Sequence, residues 1–565
     1  MNRASQAGCN LPVVQAVFWT MFFANFLARA QTLPDAGSLR QQIEQQRELP
    51  LPSAGRPQQA ATQLPEIKAP VGMTLRPQSF RFVGNQLLSA EQLNVVLTDF
   101  LGQELDFSGL QRAADAVTGA YREAGRIARV YLPEQDISDG TVTLQVVEAR
   151  YTGLRVEGER PQRVNLIHIE SFFDANQKIG EPLNANNLDR ALLLTDDLPG
   201  VSVAGTLVPG QADGETALVI RTTDEPLLYG DVGLDNNGAR ATGSYRFTAN
   251  LNVNSPLGGG DMLSLNLLHS LGSDYVRGAY TLPVGSDGLR VGFNASNMTY
   301  TVVNGFNFNP GNPLQGYSKS MGLELSYPLL RSRPENIYIT AGVDEKRFYT
   351  KDPTQVSSDY GSASFRMAVS GNQFDDMGGG GANSASLQIT RGELKDMRAH
   401  TLLGTIAPQY TRINYNVSRQ QTLTQDQTLL VTLQGQHARQ FLDSSEKFYL
   451  GGPQSVRAYP VSELSGERGQ VLSTEWRLRL GSELTFSVFS DLGRLVSISS
   501  NAGPESVMWI RGHGLGAIWQ GPIGSVTKLM WSRRDGSNPR PTLAGNDGDG
   551  TLRINRFWLT TSIAF

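Results

Sequence analysis

Val471 to Leu480 reads VLSTEWRLRL. Leu472, Trp476, Leu478 and Leu480 fall on one parity, and Ser473, Glu475, Arg477 and Arg479 on the other. A strand sends successive side chains to opposite faces, so this strand is greasy on one face and charged on the other. A soluble sandwich would have to bury Glu475, Arg477 and Arg479 on its closed face. A membrane barrel instead turns apolar side chains to lipid and charged ones to a wet lumen. The last stretch, NRFWLTTSIAF, repeats the alternation: Phe557, Leu559, Thr561, Ile563 and Phe565 against Trp558, Thr560, Ser562 and Ala564.

Working back, alternating runs divided by Gly, Asn, Asp and Ser begin near Leu227. Sixteen candidate strands fit the segment 226–565, roughly 21 residues per strand with its connection, which suits tilted spans of about 9–11 residues. The reading is a 16-stranded antiparallel transmembrane β-barrel, with a large soluble β domain as the alternative. Charged residues are only 18%, and 49 basic against 53 acidic residues give a net charge of −4. No basic stripe suited to nucleic acid is present.

The other end reads as an export signal over 1–30: Arg3, the apolar run Leu11 to Ala28, and the small-x-small site Ala28-Arg29-Ala30. An uncleaved anchor is the alternative. The single cysteine, Cys9, precedes the apolar run and leaves with the signal, so the mature chain has no thiol chemistry. Next, in the segment 31–48, SLRQQIEQQRE (Ser38 to Glu48) predicts a helix capped by Ser38. Its only large apolar pair is Leu39 and Ile43, a face too narrow for a core helix, so it belongs in a wet place or docks weakly. A linker over 49–72 follows; Glu48 to Pro70 holds five prolines and reads as an extended tether.

Between these ends the pattern is α+β and runs twice, over 73–149 and 150–225. In the first unit SFRFVGN is a strand, Ser89 and Gln92 form a capping box, and FSGLQRAADAVTGAYREAG is a helix stopping at Gly125. RIARVYLP and TVTLQVVEA follow as strands. The second unit repeats the order with YTGLRVEG, a helix near Arg163 to Phe173, NANNLDRALLLTDDLPG, VSVAGTLVP and ETALVIRTT. Candidate edges for an added strand lie around Val142 to Val146 and Thr216 to Ile220.

LGGPQSVRAYP, Leu450 to Pro460, falls between the eleventh and twelfth barrel strands. With both termini periplasmic, it is the sixth outer loop. Arg457 has no anion near it between Gly451 and Val461. In the thirteenth strand Thr485, Ser487, Phe489, Asp491 and Gly493 share the inward parity, and Asp491 has no local cation. Folding the loop inward over 442–468 would pair the two. Gly451, Gly452 and Pro453 would supply the bend, and Val456 and Tyr459 would pack on the wall.

These motifs resemble those of the two-partner secretion transporters, the TpsB (hemolysin/hemagglutinin secretion-activation) family of the POTRA-barrel outer-membrane superfamily. VRAY (Val456 to Tyr459) stands for that family's VRGY, and FSDLG (Phe489 to Gly493) for its F-x-D-x-G. DNNGARATG from Asp235, SPLGGGDML from Ser255, YLPEQ from Tyr131, DDLPGV from Asp196 and the terminal Phe565 also fit. The departure is Ala458 where the family has Gly; it would be strained at positive φ.

The resemblance implies two POTRA domains and a plug helix carrying Leu39 and Ile43. It also implies a sixth loop threading the lumen with Arg457 on Asp491. A terminal Phe565 signal for barrel assembly is implied too. The implied partner is a large unfolded exoprotein of the TpsA-like, β-solenoid kind, recognised in the periplasm and moved to the surface without ATP. Periplasmic chaperones, the barrel-assembly machinery and outer-membrane lipid would serve biogenesis. Removing one member of a buried ion pair costs about 3–5 kcal/mol; a wet lumen would screen Arg457–Asp491 to about 1–2 kcal/mol.

No enzyme, cofactor or metal site is read. His168, His269, His400, His437 and His513 are scattered, and GGGGANS from Gly378 lacks the frame of a phosphate loop. An outer-membrane assembly factor (insertase) is the alternative function. A passive porin predicts no α/β units, and an autotransporter needs a passenger ahead of its barrel.

Overall fold

A computed structural model describes residues 34–45, 74–135, 137, 139–304, 310–352, 355–400, 406–498 and 504–565. The export signal, Cys9, the whole proline tether, and residues 46–48 of the expected first helix lie outside the described residues.

Each α/β unit folds as the sequence order dictates. In the first, strand β1 (Ser79–Val83) leads to helices α2 (Ala90–Val96) and α3 (Phe107–Glu123), then β2 (Ala128–Tyr131) and β3 (Thr141–Glu148). Helix α1 (Ala36–Gln45) precedes them. Ser89 and Gln92 close the expected capping box on α2, and Gly125 ends the α3 turn at φ 70°. The second unit has β4 (Arg150–Val156), α4 (Leu166–Asn176), α5 (Ala185–Asp196), β5 (Val201–Pro209) and β6 (Glu215–Asp224). Helix α4 starts three residues later than Arg163, because Asn165 accepts from the Ile167 amide and caps it there.

The sheets are ordered β1-β3-β2 and β4-β6-β5. The expected edges are therefore wrong: β3, with Val142 to Val146, and β6, with Thr216 to Ile220, are the middle strands and are paired on both sides. The clearest alternation belongs to a central strand, since Val142, Leu144 and Val146 are the ones buried in the core.

The remaining strands close into one 16-stranded antiparallel barrel. The thirteenth strand, Leu484–Ser497, alternates as read: Ser487, Phe489 and Asp491 are buried inside while Phe486, Val488 and Leu492 face out. The seam pairs the last strand (Asn555–Ala564) with the first (Leu228–Asp235) over Thr560↔Asp235 to Ala564↔Asp231. Asn236 prolongs it with its side chain, donating to the Phe557 carbonyl at 3.0 Å and accepting from the Leu559 amide at 2.8 Å. At the other end Phe565 exchanges two backbone hydrogen bonds with Gly230.

Two of the sequence motifs meet where the second α/β unit joins the barrel. Asp197 of DDLPGV takes a fork of two 2.8 Å bonds from Arg331, beside the turn between the sixth and seventh strands (Gln315–Arg331 and Glu335–Lys351). In SPLGGGDML the Gly258 carbonyl accepts from the Asn165 amide, and Ser255 Oγ donates to the Arg163 carbonyl. Arg333 pairs with Asp189 at 2.8 Å, and Arg190 with Asp287 at 3.2 Å. These contacts all fall on even-to-odd turns, so the loop after the eleventh strand opens at the opposite rim.

Candidate functional site

Among the described residues, two pieces of chain pack against the inner wall of the barrel. The first is the inward-folded sixth loop between the eleventh strand (Gln427–Ala438) and the twelfth (Arg468–Leu480). It carries a 3-10 turn, Ser444–Glu446, and a short hairpin, Phe448–Leu450 with Leu464–Gly466. Gly451 and Gly452 make the bend at φ 103° and 102°, where a side chain would be strained.

Arg457 sits at the loop's tip. Its guanidinium forks onto Asp491, Nε to Oδ2 at 2.9 Å and Nη2 to Oδ1 at 2.8 Å, and its own amide adds a third bond to Oδ2 at 3.1 Å. Nη1 reaches Glu475 Oε2 at 2.6 Å, and Nη2 donates to Ser473 Oγ at 3.0 Å. The guanidinium lies over the Phe489 ring, 3.3 Å from its centroid. The Arg457 carbonyl accepts from Ser532 Oγ and Trp558 Nε1. So one residue ties the tip to four strands.

The screened pair expected in a wet lumen is not what forms. Asp491 is 1% exposed and Arg457 5%, because Val456, Ala458 and Tyr459 close over the wall in an apolar cluster with Leu450, Val471, Leu495 and Ile510. The pair belongs with buried ion pairs. Glu475, read only as polar lining, is a second carboxylate on the same guanidinium, and Arg477 holds its other oxygen at 2.8 Å. Its inward parity beside Ser473 and Asp491 was the available signal.

Ala458 is outside the left-handed region, so the departure from Gly carries no backbone strain. It is fully enclosed, and the room comes from the fourteenth strand (Ser506–Gln520). A Cβ on Gly512 would stand 2.3 Å from the Ala458 Cβ, and one on Gly514 2.4 Å from the Phe489 ring. Gly493 makes the same allowance for Val456, at 2.8 Å. The stretch GHGLG, Gly512 to Gly516, is thus a groove for the loop tip.

The second occupant is α1. Its cap is Asp35, whose Oδ1 accepts from the Ser38 amide at 2.7 Å while Ser38 Oγ accepts from the Asp35 amide at 3.0 Å. Ser38 is therefore the third helical residue of a capping box, and not the cap. Nor does the helix dock weakly: Ala36 to Gln41 are all buried. Leu39, and Ile43 more loosely, pack against Tyr275, Met298, Tyr300 and Phe348. The polar faces find polar partners on the wall, with Arg40 Nη2 on Ser320 Oγ at 2.6 Å and Nη1 on Ser318 Oγ at 3.3 Å. A polar lumen lets a helix with a narrow apolar stripe be buried over its first six residues.

With that geometry established, the sequence proves to match the family described as haemolysin secretion/activation protein ShlB/FhaC/HecB over residues 214–518, more than half of the chain. The chain belongs to that family. Residues 75–149 match the ShlB-type POTRA domain. Similar relatives include the heme/hemopexin transporter protein HuxB of Haemophilus influenzae (strain 86-028NP), 27% identical over 81% of this chain and 83% of that protein. The outer membrane transporter CdiB of Escherichia coli is 25% identical over 79% of this chain and 76% of the relative. The solved structure of CdiB from Escherichia coli shares the fold, with a TM-score of 0.68 at 20% identity over 99% of this chain and 100% of that one. The protein is a two-partner secretion transporter of the outer membrane, with periplasmic POTRA domains and a secreted exoprotein as its partner.

Proposed function

We propose that this transporter captures an unfolded, β-solenoid-forming exoprotein at the open edge of β5 and passes it through the lumen once α1 and the sixth loop give way. The observation carrying this reading is the way the lumen is filled. Both occupants are held to the wall by polar and ionic contacts and by small apolar clusters, and neither contributes a strand to the closed barrel, so each can leave while the barrel stays closed. The polar wall then exposed suits a passing chain, and folding outside biases the motion outward without a nucleotide. No catalytic step is involved.

Backbone parity leaves β5 with outward-facing donors. The Val203 amide bonds Asp196 Oδ1 at 2.9 Å, away from β6. In an unbroken antiparallel ladder the amides of Gly205 and Leu207 point the same way, and residues 204–207 are exposed. An extended chain can add there as a further strand. Folding of the barrel itself would use periplasmic chaperones, the assembly machinery reading Phe565, and lipid on the outer face. The rival insertase role shares the architecture, but the family match and the doubly plugged lumen favour transport.

A Val456→Cys/Gly493→Cys pair tests the loop's part. The built Cβ of Gly493 lies 2.8 Å from Val456 Cγ2, close to where a cysteine sulfur would stand, so a disulfide can be reached. Oxidation is expected to stop secretion and reduction to restore it; full secretion with the loop fastened overturns release of the loop. For capture, Leu207→Pro removes an outward donor that an edge strand can spare. It should cut secretion while leaving channel conductance unchanged.

A further inference from the structure

The sixth loop has a second ionic anchor, eleven residues before Arg457 and on a different set of barrel strands. Glu446, in the 3-10 turn, is wholly buried. Its Oε1 is 3.2 Å from Lys346 Nζ on the seventh strand. Its Oε2 is 2.9 Å from Arg412 Nε on the tenth strand (Gln409–Thr422). Its carbonyl accepts from Gln436 Nε2 of the eleventh strand at 2.8 Å. Gln436 Oε1 in turn accepts from Arg412 Nη1 at 3.1 Å. The loop thus spans the lumen between a carboxylate held by two wall cations and a guanidinium held by two wall carboxylates.

The plug helix lies along the same turn and touches it at both of its ends. At the N-terminus Ser444 Oγ donates to both oxygens of Asp35, at 2.9 and 2.8 Å. Gly37 comes so close that a Cβ there would stand 2.9 Å from Ser444 Oγ and from the Ser445 side chain. At the C-terminus Gln45 donates to the Lys447 carbonyl and accepts from the Tyr449 amide, both at 3.4 Å. Glu446 is fixed between these contacts. The seat of the helix is therefore the stretch of loop that Glu446 anchors.

We propose that Glu446 is the positioning residue that joins the two occupants of the lumen into one plug: its ion pairs to Lys346 and Arg412 hold the seat of α1, and loosening them frees the helix even while Arg457 stays on Asp491. This rests on the transporter reading for its purpose, but its test needs no client. A Gln41→Cys reporter on the buried face of α1 is used in the full chain, reconstituted in vesicles. The rate of its modification by a maleimide-polyethylene glycol reads helix departure, and single-channel recording reads opening. Heat-modifiable gel migration shows that each variant barrel is folded.

Glu446→Gln should speed labelling by about tenfold or more, the factor for a modest shift between seated and free helix, and raise the open fraction. Lys346→Met should do the same. The double variant should label no faster than the quicker single, as expected of one shared interaction. Unchanged labelling in folded Glu446→Gln, or single effects that multiply in the double variant, overturns the proposal. Failure of the unmodified protein to secrete any client would sink the transporter reading and leave this result standing.

Discussion

Arg331 and Arg457 make the same kind of contact in different surroundings. Each forks onto one aspartate with a bond of 2.8 Å. At the periplasmic rim the Arg331 and Asp197 side chains keep 16% and 37% of their exposure, whereas in the lumen Arg457 and Asp491 keep 7% and 1%. Water competes for the first pair and is shut out from the second. The geometry alone does not tell them apart; the surroundings set what each is worth. A buried pair holds one state firmly and is costly to half-break. An exposed one guides an orientation and yields easily. The firm joint lies where the sixth loop folds into the lumen and the soft one where the second α/β unit meets the barrel.

The sharpest way to break this contrast is Asp491→Ala. It leaves Arg457 with Glu475, already shared with Arg477, as its one carboxylate and should loosen the seated loop by about 3–5 kcal/mol. Proteolysis of the loop from outside, followed with and without denaturant, measures it. A loss below about 1 kcal/mol would place the lumen pair with the rim pair and erase the difference. Gly512→Val comes next. It drives a side chain into the space of Ala458 without touching a charge, and overpacking of that sort costs about 1–3 kcal/mol. A loop that stays docked in this variant would mean the groove is more pliant than its 2.3 Å clearance implies.

The two regions also differ in how far the sequence reveals them. Parity in VLSTEWRLRL and FSDLG showed the barrel and the inward carboxylate, because alternation is a local property of a strand. The number of strands followed from the same pattern. What the lumen does with its contents is not local. Arg40 finds Ser318 and Ser320 across 278 and 280 residues, so the narrow stripe of Leu39 and Ile43 read as weak docking. Glu446 lies in the polar run SSEK with no period to mark it. Arg412 was the missed signal, an inward cation on a strand with no carboxylate, much as Asp491 lacks a cation on its face; Lys346 was masked by Asp344, two residues away on the same parity. The POTRA edges failed for a related reason, since alternation ranks strands by burial and the most buried strand is the middle one.

The smallest expected effect is at the rim, and it completes the contrast. Asp197→Ala leaves Arg331 with other acceptors, Asn336 Oδ1 at 2.9 Å and the Ser332 carbonyl, so no orphaned charge results. Asp197 is also more than a third exposed. The change should cost at most about 1 kcal/mol and less as salt rises and the Debye length shrinks to about 8 Å or below. Spin labels on the second α/β unit and on a periplasmic turn read it as a broadened distance distribution at low salt that converges with the unmodified protein at high salt. The Asp491→Ala effect, sealed from the solvent ions, should hardly respond to the same titration. If both joints soften together as salt rises, the lumen pair is reached by water after all, and the division into a firm joint and a soft one fails.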